Sequence, residues 1–181
     1  MNTSTHPVKI FLAGAAGTGK TLAAEHLAKY HGFIRVSLGE LCANEAEALG
    51  WPMDRYHLQA AGDLLRSRDP AALAHHALRF PVLVDAAGIV VDGVRLPEEA
   101  TAFAHAGYLA VGLTARPETR GRRLRERGEH WPVSAHQTEE RVGDIEIGYL
   151  LAGDDLEDPS IRRDRIERML RWANDRTTEA R

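Results

Sequence analysis

The chain has 181 residues, 44% of them hydrophobic, and its 23 basic and 26 acidic side chains leave a formal charge of -3. That size and balance suit one globular domain with a sizeable core, and exclude an extended charged chain or a strongly basic nucleic-acid binder as the main design. The lone Cys42 excludes an internal disulfide and a Cys-rich metal site, and no apolar run is long enough for a bilayer span or secretion signal; a cytoplasmic protein with no membrane partner is expected.

In chain order, VKIFLA at 8 to 13 reads as a short buried strand that Gly14 interrupts. KTLAAEHLAKYH follows as a helix with Leu22 and Leu27 on one side, and Gly32 ends it. FIRVS at 33 to 37 is a second strand, followed by a helix through Leu49 that Gly50, Trp51 and Pro52 close, because the residue before a proline is pushed away from helical angles. Helices are expected over Asp54 to Arg66 and Ala71 to Leu78. GIVVDG at 88 to 93 is the clearest later strand, with PVLVD at 81 to 85 as a competitor. EEATAFAHAG reads as helix, YLAVGLTA as strand and ETRGRRLRERG as a charged helix or lid segment. A closing helix is expected from Leu156 to Trp172, with Ile161, Ile166, Met169 and Leu170 apolar. Strands alternating with helices point to parallel βαβ units.

The segment GAAGTGKT, residues Gly14, Ala15, Ala16, Gly17, Thr18, Gly19, Lys20 and Thr21, matches the Gly-x-x-x-x-Gly-Lys-Ser/Thr pattern in full and lies between a strand and a helix. Its glycines let backbone N–H groups approach phosphate oxygens, Lys20 can bridge the terminal phosphates, Thr21 can meet magnesium, and the helix N-terminus favours anions. ATP with Mg2+ is the expected donor. The loop alone does not separate a kinase from a switch, a motor or a structural ATPase.

Further on, VVDGVRLPEEA sets Asp92 near a strand end, where it can hold a magnesium-bound water opposite Thr21, and Arg95 in the next loop, where it can grip an oxyanion. Glu99 either starts the following helix or orients Arg95. Arg55, Gln59, Gly62, Asp63 and Arg66 recur at spacings of three and four, so one helical side can hold a monophosphate and hydrogen-bond a base; the plainer reading is a solvated helix in which Asp63 partners the arginines. Arg116, Arg120, Arg123 and Arg127 share one side of a further helix. Such a cluster can neutralise a transferring phosphoryl group, and is expected to be mobile without its ligand; a surface helix bridged by Glu118 and Glu126 is the alternative. No aromatics interleave these arginines, so no stable nucleic-acid partner is expected.

Taken together, these residues resemble the nucleoside and deoxynucleoside monophosphate kinases, in the branch of the phage-type deoxynucleoside monophosphate kinases and the related dephospho-coenzyme A kinases. The resemblance covers about residues 8 to 140. It implies an α/β three-layer P-loop nucleoside triphosphate hydrolase fold with a parallel sheet, a single domain over residues 1–181, an acceptor-binding segment at 37–80 and an arginine-rich lid at 116–140. It also implies an acceptor helix carrying Arg55, Leu58, Gln59, Gly62 and Arg66, a strand-end pair in Asp92 and Arg95, a glutamate at Glu99, lid arginines at Arg120, Arg123 and Arg127, and a later motif of His136, Thr138 and Glu139. Ser37 and Glu40, after the second strand, are further candidate acceptor contacts on this resemblance. The implied reaction moves the terminal phosphate of ATP to a nucleoside or deoxynucleoside monophosphate, with Lys20, Asp92 and the arginines acting through alignment and charge. Dephospho-coenzyme A, another small metabolite, a nucleic-acid end, or ATP-controlled binding without transfer remain alternatives, and a homodimer is compatible with all of them.

Overall fold

The computed structural model describes residues 7–79, 86–129 and 140–179. Among these residues five parallel strands form one sheet: β1 (Val8–Ala13), β2 (Phe33–Ser37), β3 (Gly88–Val94), β4 (Leu109–Thr114) and β5 (Tyr149–Ala152), in the spatial order β2-β3-β1-β4-β5. The helices are α1 (Lys20–His31), α2 (Leu38–Ala48), α3 (Arg55–Arg66), α4 (Ala72–Ala77), α5 (Pro97–His105), α6 (Pro117–Glu126) and α7 (Pro159–Glu179), with a 3-10 turn at Arg141–Asp144.

Both faces of the sheet are covered, as its near-continuous apolar strands require. Successive side chains of β1 alternate between them. Ile10 and Leu12 join a core with Leu27 of α1 and Ile166, Met169 and Ala173 of α7. Phe11 and Ala13 join the opposite core with Leu38, Leu73 and Phe103, the Phe11 and Phe103 rings lying 6.0 Å apart. Each large side chain so buried contributes about 1.5–3 kcal/mol. In this stacking β1 lies between β3 and β4, so chain connections run to either side of it, and the crevice at the carboxyl ends of those strands is where an open α/β sheet takes ligands.

Two elements depart from the sequence reading. β5 was not expected: YLLA is four residues long, follows the poorly patterned DIEIG, and is a strand because β4 offers it an edge. The closing helix starts at Pro159 rather than Leu156; the Asp158 carboxylate accepts from the N–H groups of Ser160 at 2.8 Å and Ile161 at 3.1 Å, while Leu156 is buried in the turn before it. The competing strand at 81–85 and the His136, Thr138 and Glu139 motif lie outside the described residues. Among the described residues no helix is long and apolar enough to cross a membrane.

Candidate active site

The phosphate loop follows β1 directly. Gly17 has φ 80° and Gly19 φ 99°, left-handed backbone that side chains disfavour. At Gly17 a Cβ would also stand 2.9 Å from the Arg120 carbonyl, so α6 presses against the loop. The loop carbonyls have donors. Lys20 Nζ reaches back to Gly14 O at 2.6 Å and Ala15 O at 2.9 Å, and Thr18 Oγ1 donates to Ala15 O at 2.9 Å. Arg120 Nε donates to Ala16 O at 2.8 Å and Arg123 Nη1 to Gly17 O at 3.0 Å. Holding the carbonyls from outside leaves the loop to present N–H groups inward, where α1 begins with no acid in its first turn to compete for an anion.

Arg123 is placed differently from the expected mobile lid arginine. Its side chain is 6% exposed, and besides Gly17 O it donates to Gly153 O at 2.8 Å and, through Nε and Nη2, to both oxygens of Glu157 at 2.5 and 2.7 Å. This bidentate pair holds the Glu157 carboxyl down at about 2. The physical reason is packing: α6 lies between the loop and the β5–α7 turn, and a guanidinium bridging them needs a carboxylate. Arg116 sits at the start of α6, its N–H and Nε donating to Asp154, which also accepts from Thr119 Oγ1 at 2.6 Å.

Asp92 lies at the end of β3, where the register with β1 slips by one residue and Gly93 takes φ 96°, a bulge that re-aims the strand end. Its side chain is buried, and Arg35 of β2 donates to it at 3.3 Å while also holding Glu40 at 2.8 Å. Arg35 went unrecognised in the sequence, although a charged residue inside the strand FIRVS was a visible signal. Glu40 is exposed and bonded to Arg35, not set on the cavity wall.

A cavity of about 970 Å³ joins these parts. Lys20, Thr21, Ser37, Cys42, Arg55, Gln59, Arg66, Asp92, Arg95, Arg127 and Glu129 are among the residues that line it. α3 supplies Arg55, Gln59 and Arg66 along the expected side, begun by Asp54, whose carboxylate accepts from His57 N–H at 3.0 Å. Asp63, on the same helix, is not on the cavity wall, and other segments supply carboxylates to the two arginines. Arg66 donates to Glu99 Oε1 at 2.8 Å, and Arg55 pairs with Glu129. Glu99 is fully buried; its second oxygen accepts from the N–H groups of Arg95 at 3.1 Å and Leu96 at 3.2 Å, so it fixes the β3–α5 turn and Arg66 together without reaching the cavity. Gly62 makes room for this, since a Cβ there would stand 2.8 Å from Arg66 Nη1. Gln59 Nε2 is a buried donor with no partner among the described residues, on the cavity wall.

Thr21 and Asp92 share that cavity, a hydroxyl and a carboxylate, hard oxygens of the kind Mg2+ takes together with phosphate oxygens. Among the described residues no group of three or more His, Cys, Asp or Glu could hold a metal by itself.

A glycine loop between β1 and α1 at the carboxyl edge of a parallel sheet ordered β2-β3-β1-β4-β5 defines a P-loop nucleotide-binding α/β protein. The family model described as AAA domain matches residues 10–143, and the chain belongs to that family. No curated protein matches it. Among solved structures, it is similar to a shikimate kinase from Bacteroides thetaiotaomicron at 20% identity, over 91% of this chain and 97% of that one, with a TM-score of 0.62. A gluconokinase from Sinorhizobium meliloti 1021 matches at 16% identity, over 97% and 98% of the two chains, with a TM-score of 0.59. A shikimate kinase from Acinetobacter baumannii, solved in complex with shikimate, matches at 14% identity, over 92% and 93%, with a TM-score of 0.57. What these chains share with it is the three-layer P-loop α/β fold.

Proposed function

We propose that the chain transfers the terminal phosphate of ATP to a small anionic metabolite. The observation that carries this is one cavity lined both by the phosphate loop and by Arg55, Gln59, Arg66 and Arg95, which we read as its donor and acceptor ends. Its volume lies near the upper end of small-ligand sites, enough for donor and acceptor to meet. The named activities of the similar folds, on shikimate and gluconate, favour a metabolite acceptor over a nucleotide.

In this reading Lys20 turns from the carbonyls of Gly14 and Ala15 to the donor phosphates. Thr21 and Asp92 would hold Mg2+, which supplies charge neutralisation between the phosphates. Asp92 is kept in one orientation by Arg35. Arg127 faces the same space and neutralises charge as the phosphoryl group moves, while Arg120 and Arg123 keep the loop in shape from behind. Arg66 and Arg95, fixed through Glu99, grip the anionic end of the acceptor, with Gln59 supplying a neutral hydrogen bond beside them.

A nucleoside monophosphate acceptor is the narrower reading. The exposed Tyr56 ring and Met53 on the cavity wall favour it, because they offer an apolar face to a base. One experiment addresses both: purified protein with Mg-ATP is mixed with separate hydroxy acids, sugar acids, coenzyme precursors including dephospho-coenzyme A, and ribose and deoxyribose monophosphates, and products are resolved by chromatography. A phosphorylated hydroxy acid or sugar acid supports the metabolite reading, and a nucleoside diphosphate supports the narrower one. ATP binding with no phosphorylated product from any of them would overturn transfer in favour of ATP-controlled binding.

A further inference from the structure

Among the described residues three carboxylates line the cavity, and two of them have structural duties: Asp54 caps α3, and Asp92 is held by Arg35. Glu129 is different. It stands three residues beyond the last residue of α6, and its Oε2 accepts from Arg55 Nη1 across 74 positions of sequence, both groups lying on the cavity wall with side chains 23% and 28% exposed. A carboxylate of the chain thus engages a guanidinium at the acceptor end of the cavity, where an incoming oxyanion would seek the same donor.

We propose that Glu129 is an internal stand-in for the anionic group of the acceptor, holding Arg55 in place until a carboxylate or phosphate of the ligand displaces it. The inference rests on reading the cavity as a two-substrate site. It adds a selection rule: an acceptor must bring an anion to Arg55, because a neutral molecule cannot replace the carboxylate it expels. It also ties the two ends of the cavity together, since the helix leading to Glu129 is the one whose Arg120 and Arg123 hold the carbonyls of Ala16 and Gly17.

The test uses inorganic phosphate as the probe, titrated calorimetrically into the full chain with Mg-ADP present, for the parent protein, Glu129→Gln, Glu129→Ala, Arg55→Met and each double variant. Mg-ADP occupies the loop, and any further phosphate held there is fitted as a separate site common to all variants. Removing the internal carboxylate is expected to tighten phosphate about threefold to tenfold, and Arg55→Met to abolish that gain, as a partly exposed coupled pair requires. Thermal melts confirm folding, and either Glu129 variant suffices if the other fails to fold. Unchanged or weaker phosphate binding in both Glu129 variants, or a gain that persists beside Arg55→Met, overturns the proposal. Because the titration needs no turnover, absence of phosphorylated product together with an intact Glu129 effect would sink phosphotransfer alone.

Discussion

At the donor end of the cavity the backbone makes the site: loop carbonyls are held by Lys20, Thr18, Arg120 and Arg123, leaving N–H groups for the ligand. At the proposed acceptor end side chains make it, each held by a partner distant in sequence, Arg66 by Glu99 and Arg55 by Glu129. A backbone cradle recognises any triphosphate and tolerates little change, whereas guanidinium pairs can be re-aimed by one substitution. In the proposed reaction, selectivity is therefore concentrated on α3 and the β3–α5 turn, and the capacity to bind phosphate on β1, its loop and α1.

The sharpest way to break this contrast is Lys20→Ala. Loss of a positioned cation at the phosphates is expected to lower product formation about 10²–10³-fold with the fold intact, measured by ADP release alongside circular dichroism. An acceptor-end lesion of similar size would mean that the two ends are not separable. Glu99→Ala comes next, because it leaves a nearly buried guanidinium and two turn N–H groups without their carboxylate. It should cost about 3–5 kcal/mol in urea unfolding. If the variant is studied at a temperature where it remains folded, acceptor KM should rise while ATP affinity holds.

Smaller effects come through pH. Glu157 sits near 2 because of Arg123, below its ordinary 4.5, so its contribution is present above 4.5 and is lost as pH falls from there toward 2. Melting temperatures of the parent and Glu157→Gln should therefore converge across that window, and parallel curves would show that the brace contributes nothing to stability. His26 shifts the other way in charge. Burial, and then Arg162, hold its pKa below the ordinary 6.5, and Arg162 Nε donates to its Nδ1 at 3.2 Å; His31, Arg163 and Glu167 also face it. The unfolded chain takes up this proton first, so stability declines as pH drops through 6.5, and His26→Gln should flatten that slope in pH-dependent melts.

The donor end was legible because its signal is local: eight consecutive residues with a strand before them and a helix after them. The Arg55, Gln59, Arg66 face was legible for the same reason, being one helical period. Neither Glu129 nor Glu157 announced itself, since each is one acid among charged neighbours and acquires meaning only when the chain folds it onto an arginine from another segment. Arg123 shows the cost of reading charge without burial, as the motif marked it and packing then gave it a bracing position. β5 was missed because four residues carry too little periodicity, and its neighbour β4 supplies the rest.

The bond from Arg123 to Gly17 spans 106 positions, and the same guanidinium is held by Glu157. During synthesis, therefore, the loop leaves the ribosome long before its outer brace is complete, because that brace needs residue 157. A nascent chain carries a nucleotide motif long before it carries a nucleotide site, and over that interval exposure to cellular ATP gives it little protection against proteases or misfolding.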